Sequence, residues 1–482
     1  MRGYYTAAEV RDAEAPQLAV LPEGTLMRRA AYGVARVVAD ELRSRTGGVV
    51  GRSVGLLVGT GDNGGDALWA GALLRRRGVV VTACPVDPER MHAAGAAALR
   101  RAGGRIASGA LPDDVDLVID GILGISGKGG LRRPAAALVE QVSAPIVAVD
   151  LPSGVDCDTG AVDGAAVRAD VTVTFGLLRR VHALAAAMCG RVELVPIGIE
   201  SGDAGLVQLD AADVGQMWPV PGAHDDKYTQ GVVGVVAGSP GYPGAGILCT
   251  SGAVAATSGM VRYAGPDTAA IVGHRPEIVA APDIASTGRV QAWVIGPGIG
   301  TDDDALERVR AVLATDLPVV VDADGLTLLA REPDLVRARS APTLLTPHDR
   351  EFARLTGAEP GADRVGAVAG LARAWSATVL LKGRATIVSD GVGAAFVNDA
   401  GGSWPSTAGS GDVLSGIVGA LAASGLALPW AAALAARAHA LAANLAARGG
   451  AAGASGGFGT APIGASMLLD AVSDAVRVLR VR

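Results

Sequence analysis

The 482-residue sequence predicts an α/β protein of two domains, each a three-layer αβα sandwich, on three observations. Short apolar runs alternate with helical patterns along the chain, which is how a parallel sheet with crossover helices reads. The pattern weakens around 196–225, and the polar, Pro- and Gly-rich "MWPVPGAHDDKYTQG" at 217–231 reads as an inter-domain link. Each half also carries its own glycine-rich loop at a strand-to-helix junction. The two loops differ in pattern, so the halves are not repeats. The domains are expected at 1–215 and 220–482.

In the first half, strands are expected at 53–59 ("SVGLLVG"), 79–84, 115–120, 145–150 and 171–176, with helices such as "GGDALWAGALLRRRG" between most of them. In the second half they are expected at 231–239, 291–300, 317–326, 341–348 and 377–390, the last a hairpin turning at Lys382-Gly383. Residues 413–436 contain no charge and are long enough to span a bilayer. They are mostly Ala and Gly and are interrupted by Pro429, so two buried helices joined by "SGLALP" are expected and no membrane span.

Composition narrows the class. Half the residues are hydrophobic but only 3% are aromatic, so the cores are expected to be packed from Ala, Val and Leu. The net charge of -6 is spread along the chain without a basic stripe, which argues against nucleic acid as a partner. The N-terminal "MRGYYTAAEVRDAEAP" lacks the apolar core of a signal peptide. Cys84, Cys157, Cys189 and Cys249 show no CxxC pairing, which fits a reducing cytoplasm and argues against zinc and a disulfide framework.

The first glycine-rich loop, "GTGDNGGD" at 59–66, follows a strand and opens a helix. Gly59, Gly61 and Gly64 fit GxGxxG, and Asp87 stands beyond the next strand where a ribose-binding acid belongs. Asp62 and Asp66 fit a dinucleotide site poorly, because a carboxylate beside a pyrophosphate at a helix N-terminus needs an offsetting cation or donor. Asp120 closes "VDLVID" ahead of "GILGISGKGG", and Asp150 closes "PIVAVD" with Ser153 just after it. The carboxyl ends of parallel strands line one crevice, so Asn63, Asp120, Asp150 and Ser153 are expected to converge. Oxygen ligands alone favour a hard cation. The plainer alternative is that Asp120 and Asp150 only cap turns.

The segments "GTGDNGGDALWAG", "VIDGILGISGKG" and "VAVDLPSGVDCDTG" resemble the signatures of the NAD(P)HX epimerase domain, over about residues 1–210. The resemblance implies a Rossmann-like fold, bound potassium, and interconversion of the R and S forms of NAD(P)H hydrated on the nicotinamide ring. It implies that Asn63, Asp120 and Ser153 hold potassium. It also implies that Asp62, Asn63, Gly64, Gly65, Asp66, Gly124, Ile125, Ser126, Gly127, Lys128, Gly129, Gly130 and Asp150 contact the hydrated nucleotide. Asp150, at its strand end, is the candidate acid/base. The sequence departs from the usual NNGGDG at Asp62 and Ala67, and Asp62 adds a negative charge near a phosphate-bearing ligand.

In the second half, "STAGSGDVLSG" at 406–416 leads into an apolar helix. Gly409 and Gly411 leave the backbone free to aim N–H groups at one point, and the helix start adds partial positive charge. That makes an anion hole for a transferring phosphoryl group. Asp412 beside it is a poor phosphate ligand but a good base for a hydroxyl attacking phosphorus. The plainer alternative is a Gly-rich helix start with an acid in its first turn. Nearby in pattern are His348 and Glu351 in "TLLTPHDREFARL", Asp322 and Asp324 in "VVVDADGL", and the loop "SPGYPGAGIL". Lys382 in "LLKGRATIV" sits at a tight turn, where Lys meets phosphate as a point charge.

Together these segments, with "GPGIGTD", resemble the ribokinase-like superfamily and, more closely, the ADP-dependent NAD(P)HX dehydratase domain. The likeness covers about 230–420, with a compatible helical tail. It implies that Ala245, Gly300, His348 and Asp412 contact the hydrated dinucleotide. It implies that Lys382, Gly383, Arg384, Ala385, Thr386, Ala408, Gly409, Ser410 and Gly411 contact the adenine nucleotide, with magnesium. Arg350 replaces a Gly usual in that family. Each half resembles one activity of a single repair route, which implies NADHX and NADPHX as substrates, ADP as phosphoryl donor, and a homo-oligomer. Three rivals stand beside this reading: a small-molecule kinase acting on a vitamin precursor or sugar, a dehydrogenase built on the first GxGxxG, and a non-catalytic first domain that only binds.

Overall fold

The computed structural model describes residues 1–107, 109–449 and 459–481. The chain falls into two compact units, Gly3–Leu206, and Val207–Arg482 with Met1–Arg2. Strand β1 (Arg2–Tyr4) opens the chain.

The first unit is built on β2 (Ser53–Val58), β3 (Val80–Pro85), β4 (Arg105–Ile106), β5 (Leu117–Gly121), β6 (Ile146–Val149), β7 (Val171–Phe175) and β8 (Arg191–Val195). They form a seven-stranded sheet in the order β4-β3-β2-β5-β6-β7-β8. Every ladder in it is parallel. The strands are near-continuous runs of Val, Ile and Leu because both faces are covered. Val54, Leu56, Val58, Leu117 and Ile119 pack on one face against helices Thr25–Thr46 and Asp62–Arg76. Leu57 and Val118 point the other way, against Leu131 and Leu138. This alternation produces the three layers. The strand order reverses between β2 and β5, and a crevice opens there beyond the carboxyl ends.

The second unit carries β9 (Leu206–Gln208), β10 (Val232–Val236), β11 (Met260–Ala264), β12 (Val279–Ala281), β13 (Ala292–Ile295), β14 (Val319–Val321), β15 (Thr343–Leu345), β16 (Thr378–Leu381), β17 (Ala385–Ser389) and β18 (Ala395–Asp399). From β9 the order runs β9-β18-β17-β16-β15-β14-β13-β10-β11-β12. The ladders from β16 to β12 are parallel. β16, β17 and β18 form an antiparallel meander, with the expected turn at Lys382-Gly383. The order reverses again, between β13 and β10.

Several expected strands are shorter in the structure. β13 stops at Ile295, where a loop follows, and β14 at Val321, because the chain turns into helix Asp324–Leu329. β11, β12 and β18 were not expected. They are short or carry polar residues such as Arg262 and Asn398, so their apolar pattern is weak. Residues 207–215, placed by the sequence at the end of the first domain, sit with the second unit. Helix Ala211–Met217 packs Val214 into its core beside Val233 and Leu479. The uncharged stretch 413–436 is shared between two helices, Ser410–Ala423 and Leu428–Ala447. Among the described residues no helix is long and apolar enough to cross a membrane. The helical tail continues as Ala465–Asp470 and Val472–Arg480, while 450–458 lie outside the described residues.

Helix Ser410–Ala423 lies in close backbone contact with helix Pro243–Ala256. A Cβ on Gly416 would stand 2.0 Å from the carbonyl oxygen of Cys249. Small residues are what let the two backbones approach so closely.

Candidate active sites

In the first unit, the loops beyond β2, β5 and β6 meet at the reversal point. Asn63 stands in the first turn of helix Asp62–Arg76. Its Nδ2 donates to the carbonyls of Leu123 (3.1 Å) and Val149 (2.7 Å). Its Oδ1 faces Gly124, where an added Cβ would come within 2.3 Å, so the loop requires glycine there. Asp120 is fully buried at the end of β5. Ser153 donates to it twice, from its N–H (2.9 Å) and from Oγ (2.7 Å), and Ile122 N–H adds a third bond at 3.2 Å. Leu123 N–H in turn donates to Ser153 Oγ at 2.9 Å. Asn63 and Ser153 therefore meet at the backbone of Leu123, and Asp120 joins them through Ser153.

Burial pushes the Asp120 carboxyl up to about 6, against the pull of its hydrogen bonds from Ser153 and Ile122. A buried carboxylate among neutral donors and carbonyls is a fitting place for a hard cation, whose charge would offset the cost. The donor set contains only oxygen and amide groups. No group of three or more His, Cys, Asp or Glu placed to hold a metal occurs among the described residues.

Asp150 follows β6 in the left-handed region, with φ 68°. Asp tolerates that region better than most residues, and such conformations concentrate at functional sites. Its Oδ1 lies 2.9 Å from Arg179 Nη2, with both side chains almost wholly buried. Thr174 Oγ1 donates to the same oxygen at 3.0 Å. Arg179 also donates to the carbonyls of Phe175 (2.9 Å) and Leu177. Burial pulls His182 down to about 4, so its ring is neutral. Nδ1 accepts from Arg179 N–H at 3.0 Å, which leaves Nε2–H to donate to the carbonyl of Asp150 at 2.8 Å. The ring thus clamps the backbone on both sides of the ion pair.

Asp66 lies inside the same site. It is buried, and its Oδ1 has no hydrogen-bond partner. Burial first, then the charges of Asp150, Asp62 and Glu14, raise its carboxyl well above the usual range. Glu14 comes from helix Ala7–Val20, and burial raises its carboxyl as well. From the same helix, Arg11 Nη2 donates to Ser126 Oγ (3.1 Å) and to Ile125 O (3.4 Å). Asp87, the candidate ribose acid, instead caps a turn by accepting from Glu89 N–H at 3.1 Å.

In the second unit, Gly409 takes φ 83° and turns the chain into helix Ser410–Ala423. The first-turn N–H groups of that helix have no intrahelical acceptor and carry the positive end of its dipole. Asp412 sits in the same turn. Burial, then the neighbouring charge of Asp322, pushes its carboxyl up to about 7, with Lys382 pulling partly the other way. Asp322, buried after β14, accepts from Lys382 Nζ and from Ser415 Oγ, each at 2.7 Å. Lys382 Nζ is also 3.5 Å from Glu351. Burial lowers the ammonium, but Asp322 and Glu351 outweigh it and raise it overall.

Glu351 and His348 form a capping box at the start of helix Asp349–Thr356. His348 N–H donates to Glu351 Oε2 at 2.9 Å. His348 Nδ1 accepts from Arg350 N–H (3.1 Å) and Glu351 N–H (3.3 Å). Gly300 N–H donates to Asp324 Oδ2 at 2.9 Å, and Ala323 between the two acids has φ 50°. A cavity of about 370 Å3 is lined by His348, Lys382, Gly383, Thr386, Ser410, Gly411 and His439. His439 Nε2 lies 3.0 Å from both Oγ and O of Ser410, and burial pulls its ring down to about 4.

Of the residues expected to contact the adenine nucleotide, Lys382, Gly383, Thr386, Ser410 and Gly411 border this cavity, and of those expected to contact the hydrated dinucleotide, His348 does. Ala245 opens helix Pro243–Ala256 and stands over Gly298, whose added Cβ would lie 2.7 Å from Ala245 Cβ. Arg384 pairs with Asp399 at 3.1 Å, and Ala385 begins β17. Sequence reasoning missed Arg179, His182, Glu14, Ser415 and His439. "RRVH", just after the "VTVTFG" strand, was the available signal for Arg179 and His182. Ser415 stood inside the quoted helix motif, and nothing local marks Glu14 or His439.

Residues 233–455 match the family described as NAD(P)H-hydrate dehydratase, and residues 23–181 match the family described as YjeF-related protein N-terminus. The bifunctional NAD(P)H-hydrate repair enzyme Nnr of Mycobacterium leprae is 56% identical over 482 residues, 99% of this chain and 100% of that protein. The protein of the same name from Mycobacterium tuberculosis is 58% identical over 429 residues, 88% of this chain and 90% of that one. A ribokinase-like superfamily protein from Enterococcus faecalis aligns with 58% of this chain and 98% of its own, at 18% identity and a TM-score of 0.50, a likeness of fold.

Proposed function

The chain belongs to the bifunctional NAD(P)H-hydrate repair enzyme family, and from that premise we propose which residues carry each of its two activities. The first unit is the epimerase domain and the second the dehydratase domain. The kinase alternative is not favoured, since relatives matching almost the whole chain carry both repair domains.

In the dehydratase, Asp412 takes the proton from the C6 hydroxyl of the hydrated ring. That oxygen attacks the terminal phosphate of ADP, with the backbone of Gly409, Ser410 and Gly411 facing the phosphate. Phosphate leaves with the C6–O bond, pushed by the ring-nitrogen lone pair. Loss of a C5 proton restores the dihydronicotinamide, and AMP is released. Magnesium, when bound, would neutralise phosphate charge, and Glu351 and Asp322 are the acids that would hold it. Lys382, Gly383, Arg384, Ala385, Thr386 and Ala408 complete the nucleotide side, and Ala245, Gly300 and His348 the substrate side. The observation that carries this reading is the Asp412 carboxyl, raised to about 7 at a helix start. A base poised near neutral pH is suited to the proton it has to take.

In the epimerase, Asp150 is the acid/base, set in place by Arg179, Thr174 and His182. Asp62 to Asp66 and Gly124 to Gly130 bound the nucleotide. Potassium would be held by Asn63, Asp120 and Ser153 and would offset the buried carboxylate. A cytoplasmic homo-oligomer completes the proposal, supported by four buried free cysteines and by the resemblance to families that oligomerise.

A mixture of hydrated NADH epimers, given ADP and then ATP, tests both activities. Complete return of reduced-nicotinamide absorbance supports both assignments. Arrest after one epimer is consumed removes the epimerase. No ADP-driven return removes the phosphoryl mechanism.

A further inference from the structure

We infer that Arg11, on the N-terminal helix Ala7–Val20, binds the pyrophosphate of the hydrated dinucleotide in the first unit. The inference rests on reading that unit as the epimerase and names a contact from outside its family-matched segment, residues 23–181.

Several acids crowd this part of the first unit. Glu14, Asp62, Asp66 and Asp150 act on one another electrostatically. A dianionic pyrophosphate in such a setting gains from each offsetting cation placed against it. Arg179 is not available for it, being buried against Asp150 and the carbonyls of Phe175 and Leu177. Arg11 differs on each count. It is exposed, and it stands one turn before Glu14, so both side chains share the helix face turned to the site.

Its guanidinium already touches the glycine-rich loop, at Ser126 Oγ (3.1 Å) and Ile125 O (3.4 Å). Both partners are neutral acceptors. They fix the position of the guanidinium without a contact ion pair, and Glu14 acts on its charge only through space. The planar fork retains donors for a bidentate phosphate contact. Arg11 thereby adds a cation, besides Lys128 of the same loop, to a site that Asp62 makes more acidic.

The test uses the full-length protein, the purified R epimer and no ADP, with appearance of the S epimer followed by chromatography. Arg11→Gln should raise KM about tenfold or more, the loss expected for a charged hydrogen bond, with kcat retained. Arg11→Lys should recover part of the loss, because Lys keeps the charge and lacks the fork. The wild-type KM should rise with salt more steeply than that of Arg11→Gln. An unchanged KM in Arg11→Gln overturns the inference. So does a fall in kcat at constant KM, which would mean that Arg11 only positions the loop. Wild-type protein that does not interconvert the epimers would instead overturn the epimerase reading, and that measurement comes first.

Discussion

The two units place acids beyond parallel strands in the same way but handle their charge differently. In the first unit the strand-end acid, Asp150, has its own buried arginine, and the neighbouring Asp66, its carboxyl raised by burial, has no hydrogen-bond partner for Oδ1. In the second unit one cation, Lys382, is shared between Asp322 and Glu351, and Asp412 beside them is left near pH 7. The difference follows the chemistry. Moving a hydroxyl between the two faces of a ring calls for an acid and a base held apart in protonation. Phosphoryl transfer calls for one base near neutrality and a cluster of acids and donors around the phosphate.

The sharpest way to break this comparison is to remove each acid in turn. Asp412→Asn should lower ADP-driven dehydration by about 10²–10⁴-fold and leave epimerisation intact, as read from the two assays on one sample. Near-normal dehydration would end the role given to Asp412. Asp150→Asn should do the reverse, lowering epimerisation about 10²-fold while dehydration of the pure S epimer continues.

The pH dependence gives a finer contrast. Asp412 must be deprotonated to act as a base, and its carboxyl is raised to about 7. Dehydration kcat/KM should therefore fall about tenfold per pH unit below about 7 and level off above it. A profile flat down to pH 5 would contradict the assignment. The smallest effect concerns the cation. Ser153→Ala removes two of the contacts that orient Asp120 and its loop. The potassium concentration giving half-maximal epimerisation should rise about tenfold. Epimerisation that ignores potassium altogether would remove the cation site.

What the sequence made legible is what local pattern encodes. Apolar runs gave the inner strands, and glycine-rich loops after them located Asn63, Asp120, Ser153 and Asp412. The turn at Lys382-Gly383 was legible because a long apolar run broken by Lys-Gly has few other ways to fold. The partners of these residues were not legible. Lys382 was expected to face phosphate, and the structure pairs it with Asp322, 60 residues away in sequence. Arg179 reaches Asp150 through a tight turn after β7, a geometry with no periodic signature. Glu14 and Arg11 arrive on a helix whose own pattern is unremarkable, so only tertiary packing reveals what they face.

The contact at Gly416 bears on motion. Asp412 stands one turn before that glycine on the same helix, whose backbone rests directly on helix Pro243–Ala256. There is no side-chain layer between them to act as a cushion. Asp412, the proposed base, therefore rides on a helix held directly against its neighbour. Adding a single methyl at Gly416 would lever the first turn outward and detune the base without touching any group that meets the ligand.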